Sequence, residues 1–214
     1  MKHQLLLFWI SLDNWLDSLV DYFFDRKFHI DTLGKVDFTQ RFIDIPSRVN
    51  AKIYQGTRLR VFNRVMKNLH INYGDYNFID TGSGKGKALI LASGFSFKKI
   101  TGIELFKPLY DISCQNLSKM NLNHRIQIEH GDVLSFTPPP GPNLYYLYNP
   151  FNEHVLKDFF STLQKNKTFK SNDLIVYLNP RYHTTLTNLG FQYQVLLNNI
   201  NYNKVVTIYR LTIF

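Results

Sequence analysis

Asp80-Thr81-Gly82-Ser83-Gly84-Lys85-Gly86-Lys87 is the stretch on which the reading of this chain turns. Ahead of it, Tyr76-Asn77-Phe78-Ile79 is a short apolar and aromatic run of the kind that forms a buried strand. Behind it, Ala88-Leu89-Ile90-Leu91-Ala92 reads as a helix packed on a sheet. Strand, glycine-rich turn and helix together make a grip for a nucleotide-like ligand. The glycines let backbone approach closely, and the helix start offers unpaired N–H groups.

The spacing narrows the ligand. The glycines at 82, 84 and 86 form G-x-G-x-G, whereas a dinucleotide fingerprint is G-x-G-x-x-G. A P-loop needs a glycine five residues before its Gly-Lys pair and a Ser or Thr after it; here Thr81 and Ala88 stand in those places. Asp80, two residues ahead of the first glycine, would repel phosphate and suits a ligand carrying positive charge.

Asp80-x-Gly82-x-Gly84-x-Gly86 resembles motif I of the class I S-adenosylmethionine-dependent methyltransferases. Three further stretches follow in the family's order. Lys99-Ile100-Thr101-Gly102-Ile103-Glu104 reads as a second strand ending in an acid, 22 residues after Gly82. Ile126 to Val133 resembles the third strand and its acidic turn. Leu144-Tyr145-Tyr146-Leu147-Tyr148-Asn149-Pro150-Phe151 resembles the fourth strand and the motif at the reaction centre. The resemblance spans roughly residues 50–214 and implies a Rossmann-like α/β fold: a seven-stranded sheet with helices on both faces and its last strand antiparallel. Residues 1–46 are then an N-terminal helical extension and linker, and residues 47–214 the methyltransferase domain.

The resemblance also implies a site. S-adenosyl-L-methionine is the expected cofactor, with S-adenosyl-L-homocysteine as product. Asp80, Gly82, Ser83, Gly84 and Gly86 would hold its amino-acid part, Glu104 and Leu105 its ribose and neighbourhood, and Asp132 and Val133 its adenine. Tyr54 and Thr57, just ahead of a helix, would close over it. Asn149, Pro150 and Phe151 would meet the substrate. The Asn149 side-chain oxygen and the Pro150 carbonyl could accept N–H bonds from an amine, and Phe151 could stack on a base or lie against an alkylammonium. A single proline departs from the Asn-Pro-Pro-(Tyr/Phe) form of adenine-N6 and glutamine-N5 enzymes. The motif is nearer the Asn-Pro-Phe form of small methyltransferases that resemble non-SET protein-lysine methyltransferases. A protein lysine is therefore the leading acceptor, with Tyr148 or Tyr54 or bulk solvent taking its proton. RNA or DNA is the alternative, an NAD-dependent oxidoreductase or a catalytically silent module another.

The bulk properties fit a globular chain of 214 residues, 44% hydrophobic and 19% charged. The formal charge is +9; residues 1–44 hold seven acids against five bases, so the remainder carries about +11. A basic body suits an acidic partner such as nucleic acid or an acidic protein patch. The single cysteine, Cys114, excludes an intramolecular disulfide and a cysteine zinc cluster, and the seven histidines show no ligand spacing, so no metal is expected. No apolar run reaches the roughly 18 residues of a membrane span, and the first apolar run lacks a cleavage site, so a cytoplasmic protein is expected.

The rest of the chain reads around that core. Leu5, Phe8, Leu12, Trp15, Leu16, Leu19 and Phe23 fall on one side of a helix, with Asp13, Asp17, Asp21 and Asp25 as an acidic ridge. Docking of this helix on the domain by its apolar face is expected. Residues 26–50 read as a connecting or lid-like segment. Thr57 could cap a helix running to Leu69, whose Arg60, Arg64 and Lys67 make a solvated face. Further helices are expected over 108–122, 152–166 and 182–189, and strands over 174–178, 191–197 and 204–214.

Overall fold

The computed structural model describes residues 2–37, 53–199 and 204–211. Helix α1 (Lys2–Phe28) leads into a small antiparallel pair, β1 (Lys35–Asp37) with β2 (Ile53–Gln55). Then follow α2 (Leu59–Asn68), β3 (Asn77–Asp80), α3 (Lys87–Ala92), β4 (Ile100–Glu104), α4 (Lys107–Lys119), β5 (Ile126–His130) and β6 (Asn143–Leu147). The chain continues through α5 (Glu153–Lys165), β7 (Leu174–Leu178), α6 (His183–Asn188), β8 (Phe191–Asn199) and β9 (Lys204–Leu211). The expected boundary between residues 46 and 47, most of the 26–50 segment and residues 212–214 lie outside the described residues.

The main sheet has the order β5-β4-β3-β6-β7-β9-β8, parallel from β5 to β7, with β9 antiparallel to β7 and β8 antiparallel to β9. The chain winds outward from β3 to β5, then returns to lay β6 on the other side of β3. The crevice beyond the carboxyl ends of β3 and β6 is therefore the switch point where an open α/β sheet binds its ligand. This is the Rossmann-like seven-stranded arrangement that the glycine-rich turn implies.

Strand alternation builds a core on each face. Leu144 and Tyr146 of β6 and Leu174, Val176 and Leu178 of β7 join Phe62, Val65 and Met66 of α2 and the fully buried α3. Tyr145, Leu147, Ile175 and Tyr177 join Val155, Leu156, Phe159, Phe160 and Leu163 of α5 on the other face.

The N-terminal helix docks the other way round from the expectation. Its acids, not its apolar stripe, face the domain: Asp17, Asp21 and Asp25 are buried, while Trp15 is 58% and Phe23 59% exposed. Lys87, 2% exposed at the start of α3, puts its Nζ 3.1 Å from Asp21 and 3.2 Å from Asp25. Arg60 meets Asp17 at 3.0 Å and Asp13 at 3.7 Å, so it is an anchor rather than part of a solvated face. Asp25 also accepts from the Thr32 N–H and hydroxyl and the Leu33 N–H, turning the chain after α1. Thr57 does not cap α2. Arg58 is the N-cap residue and its side chain makes no capping bond; the Leu59 N–H donates instead to Asp21 at 3.0 Å, a cap supplied from another helix. The cause is charge: buried carboxylates and a buried ammonium are tolerable only when paired, and these groups pair with one another.

Lys87→Met leaves buried Asp25 without its cation and Asp21 with Arg58 alone. It should destabilise the chain by about 3–5 kcal/mol in chemical denaturation, the scale for breaking a buried pair. Lys87→Met combined with Asp25→Asn should recover part of that loss.

Candidate functional site

The carboxyl ends of β3, β4, β5 and β6 surround a cavity of about 440 Å³, a size ordinary for a cofactor-sized ligand. Tyr54, Thr57, Asp80, Gly82, Ser83, Gly84, Glu104, Leu105, Asp132, Val133, Asn149, Pro150 and Phe151 all line it. Of the residues expected at the site, Gly86 does not line the cavity; it lies one step behind, as the N-cap of α3, with φ +82°.

The glycines act here through close approach. A Cβ on Gly82 would stand 2.3 Å from the Pro150 Cβ, so only glycine lets the loop after β6 close over the loop after β3. A Cβ on Gly84 would stand 2.3 Å from the Tyr54 ring, and its φ of +54° is left-handed. Tyr54 thus lies across the glycine loop, held by a 3.1 Å bond from its hydroxyl to the Thr32 carbonyl. The Thr57 and Tyr146 hydroxyls share a hydrogen bond of 3.1 Å at the cavity wall.

Two carboxyls define the electrostatics. Asp80 is buried at the end of β3; burial above all, then the nearby Glu104, raises its pKa from 3.8 to about 8, with the Gly82 N–H opposing. Burial raises Glu104 to about 7 against the N–H groups of Phe106, Gly84 and Leu105. Glu104 takes a 2.7 Å bond from the Gly84 N–H on one oxygen and a 2.7 Å bond from the Phe106 N–H on the other. The acid therefore braces the glycine loop while facing the cavity. The Ser83 hydroxyl is buried without a hydrogen-bond partner, a polar atom left over at the cavity wall.

Neither lysine of the loop is left to meet an anion. Lys85 Nζ binds Asp31 at 2.7 Å and the Leu33 carbonyl at 2.8 Å, and Lys87 Nζ binds Asp21 and Asp25. The cavity is thus bounded by acids whose neighbouring cations are already engaged. Asp132 uses one oxygen to accept from the Leu134 N–H at 3.0 Å, so it shapes its own turn as well as lining the cavity.

The fourth-strand motif is arranged differently from its expected use. Asn149 sits in the left-handed region with φ +49°. Its side-chain oxygen accepts from the Tyr177 hydroxyl at 2.9 Å and from the Arg181 N–H at 3.4 Å, and its amide donates to the Asn179 carbonyl at 2.9 Å. The side chain ties the ends of β6 and β7 together and does not hold its oxygen free for an incoming amine. Phe151 is buried in the core against α5, so Tyr148 is the more accessible ring at this end of the cavity. Tyr177 and the Asn179-Pro180 turn carried no signal beyond a strand end in the sequence. The one cue was that Asn-Pro recurs at the ends of two strands, at 149–150 and 179–180.

Because both carboxyls have raised pKa values, the unfolded chain ionises them at lower pH than the folded one. Their contribution to stability is complete below about pH 4, the unfolded carboxylate range, and is lost as pH rises through about 7 and 8. Melting temperature without ligand should therefore fall across that window, and Glu104→Gln should flatten the fall. Differential scanning calorimetry from pH 5 to 9 reads both.

No protein-family model and no curated protein sequence matches this chain. Solved structures do match it in fold. The pyocyanin biosynthetic protein PhzM aligns with a TM-score of 0.55 at 12% identity, covering 71% of this chain and 55% of its own. Human N-acetylserotonin methyltransferase, in complex with SAM, aligns with a TM-score of 0.54 at 15% identity, covering 70% and 51%. An rRNA methylase from Streptococcus thermophilus aligns with a TM-score of 0.52 at 10% identity, covering 72% and 95%. The chain spans about half the length of the first two. At these identities the likeness is one of fold: an α/β Rossmann-like sheet of the kind those proteins have.

Proposed function

We propose that this chain is an S-adenosyl-L-methionine-dependent methyltransferase acting on an amine nitrogen, with a protein lysine side chain as acceptor. One observation carries the reading. The cavity at the sheet's switch point is walled by the buried acids Asp80 and Glu104 beside a glycine cradle whose two lysines are both bound elsewhere. That arrangement suits a ligand with positive charge and no phosphate, as this cofactor is. The unpartnered Ser83 hydroxyl and the space left by Gly82 and Gly84 also fit such a ligand.

When bound, the cofactor supplies a methyl on a sulfonium for in-line displacement. In this reading Asp80 faces its ammonium, Glu104 its ribose hydroxyls, and Leu105, Asp132 and Val133 its adenine, while Tyr54 and Thr57 cover it. Asn149, held by Tyr177, fixes the backbone at Pro150 so that carbonyls at the end of β6 can orient the acceptor nitrogen. Tyr148 offers its ring to an alkylammonium. Burial raises the pKa values of both Tyr54 and Tyr148, so neither phenol is a ready base at neutral pH. The lysine proton passes to solvent, and turnover should rise with pH until the acceptor amine is neutral.

The second reading is an RNA or DNA acceptor, favoured by the +9 charge and by the fold likeness to an rRNA methylase. Labelling of a cell lysate with tritiated S-adenosylmethionine separates the two: protease should remove the label, and loss to nuclease alone would favour the second.

Calorimetry should find micromolar binding of S-adenosylhomocysteine, about −8 kcal/mol, and no binding of NAD. Comparable NAD affinity would refute the cofactor reading. Asn149→Ala should lower turnover about a hundredfold with cofactor affinity reduced no more than about tenfold, since it releases the end of β6 and leaves Asp80 and Glu104 in place.

A further inference from the structure

Helix α1 is fastened by its charged side, and that leaves its apolar side outward. Trp15, Tyr22 and Phe23 are 58%, 47% and 59% exposed on one side of the helix, and Leu12, Leu16 and Leu19 on the same side are only half-buried. In the sequence the same spacing begins at Leu5 and Phe8. No acid stands free among the described side chains of this face. Asp17, Asp21 and Asp25 are turned into the domain, and Asp13 pairs with Arg60. Within the helix beyond Phe23 the exposed residues are Arg26 and Lys27, exposed His29 follows, and the next exposed acid, Asp31, is paired with Lys85, so the outward end of the helix is basic.

We propose that this face of α1 lies on an anionic lipid surface, with the helix in the plane of the headgroups. Three features on one helix support that partner. Large aromatic side chains carrying a polar edge, Trp15 and Tyr22, suit the headgroup level, and Phe23 suits the acyl boundary beneath it. Arg26 and Lys27 complement anionic headgroups. The acids that would repel such a surface are neutralised against Lys87, Arg58 and Arg60 on the opposite side. The helix lies on the surface rather than through it, since no helix among the described residues is long and apolar enough to cross. A second copy of the chain fits the face less well. Pairing two such helices would bring Arg26 and Lys27 either against themselves or against the Lys2-His3 end.

The test exploits the chain's own fluorescence, because its two tryptophans, Trp9 and Trp15, are both in α1. Full-length protein is titrated with vesicles of phosphatidylcholine containing phosphatidylserine. The emission should shift to the blue and be quenched by brominated lipid, and added salt should weaken both. Phe23→Asp, at an exposed position, should melt like the parent chain and partition at least about tenfold less. Absence of shift and quenching would overturn the proposal, as would unchanged partitioning of Phe23→Asp. A blue shift that appears without vesicles and grows with protein concentration would also overturn it, by assigning the face to a second copy.

Discussion

The absence of a Cβ at Gly82 and Gly84 is the constraint on which the rest of the site depends. Pro150 from the loop after β6 and Tyr54 from β2 occupy the space those atoms would fill. Two parts of the chain far apart in sequence are thereby packed onto one turn. A cavity forms between them at the point where the sheet reverses its winding, and any side chain larger than hydrogen would push Pro150 or Tyr54 outward and open it.

The same turn is held from behind by charge. The ammonium groups of Lys85 and Lys87 are engaged by the N-terminal segment, which supplies their counter-ions through Asp31, Asp21 and Asp25. Asp21 alone meets Lys87, Arg58 and the first N–H of α2. The helix is thus joined to the start of α2 and to α3 through one carboxylate. Asn116 of α4 closes the arrangement, donating to the Asp31 and Lys85 carbonyls and accepting from the Asp31 N–H. Burying so many charges is tolerable because nearly every one has an opposite partner or an N–H donor.

Within the cavity the balance runs the other way. Burial disfavours the charge of both Asp80 and Glu104, and the nearby Glu104 adds to that cost at Asp80. Two carboxyls at raised pKa, beside lysines that are already paired, are poised for a positively charged ligand, which would draw off their protons. The engaged Asn149 oxygen assigns that residue the task of positioning the end of β6.

The doubly wound fold and the outline of the cavity were legible in the sequence because their signals are local. An apolar run, glycines at fixed offsets and an acid at a strand's end each occupy a few consecutive residues, and the order of four such stretches dictates a parallel sheet. The strands around Asp80, Glu104 and Asp132 fell where those signals put them. The short β1–β2 pair had no such signal, since three residues are too few to show alternation. The orientation of α1 was decided only by tertiary structure. Helical periodicity separates an apolar side from an acidic one, but it does not say which side will find a partner. That depended on Arg58, Arg60 and Lys87, which lie 37, 43 and 62 residues along the chain from the acids they bind. Likewise, Asn149 has acceptor atoms in any sequence reading, and only the folding of β7 beside β6 brought Tyr177 to occupy one of them. Local patterns fix what each segment can be; long-range charge and hydrogen-bond partners decide which of its faces is spent on the protein itself.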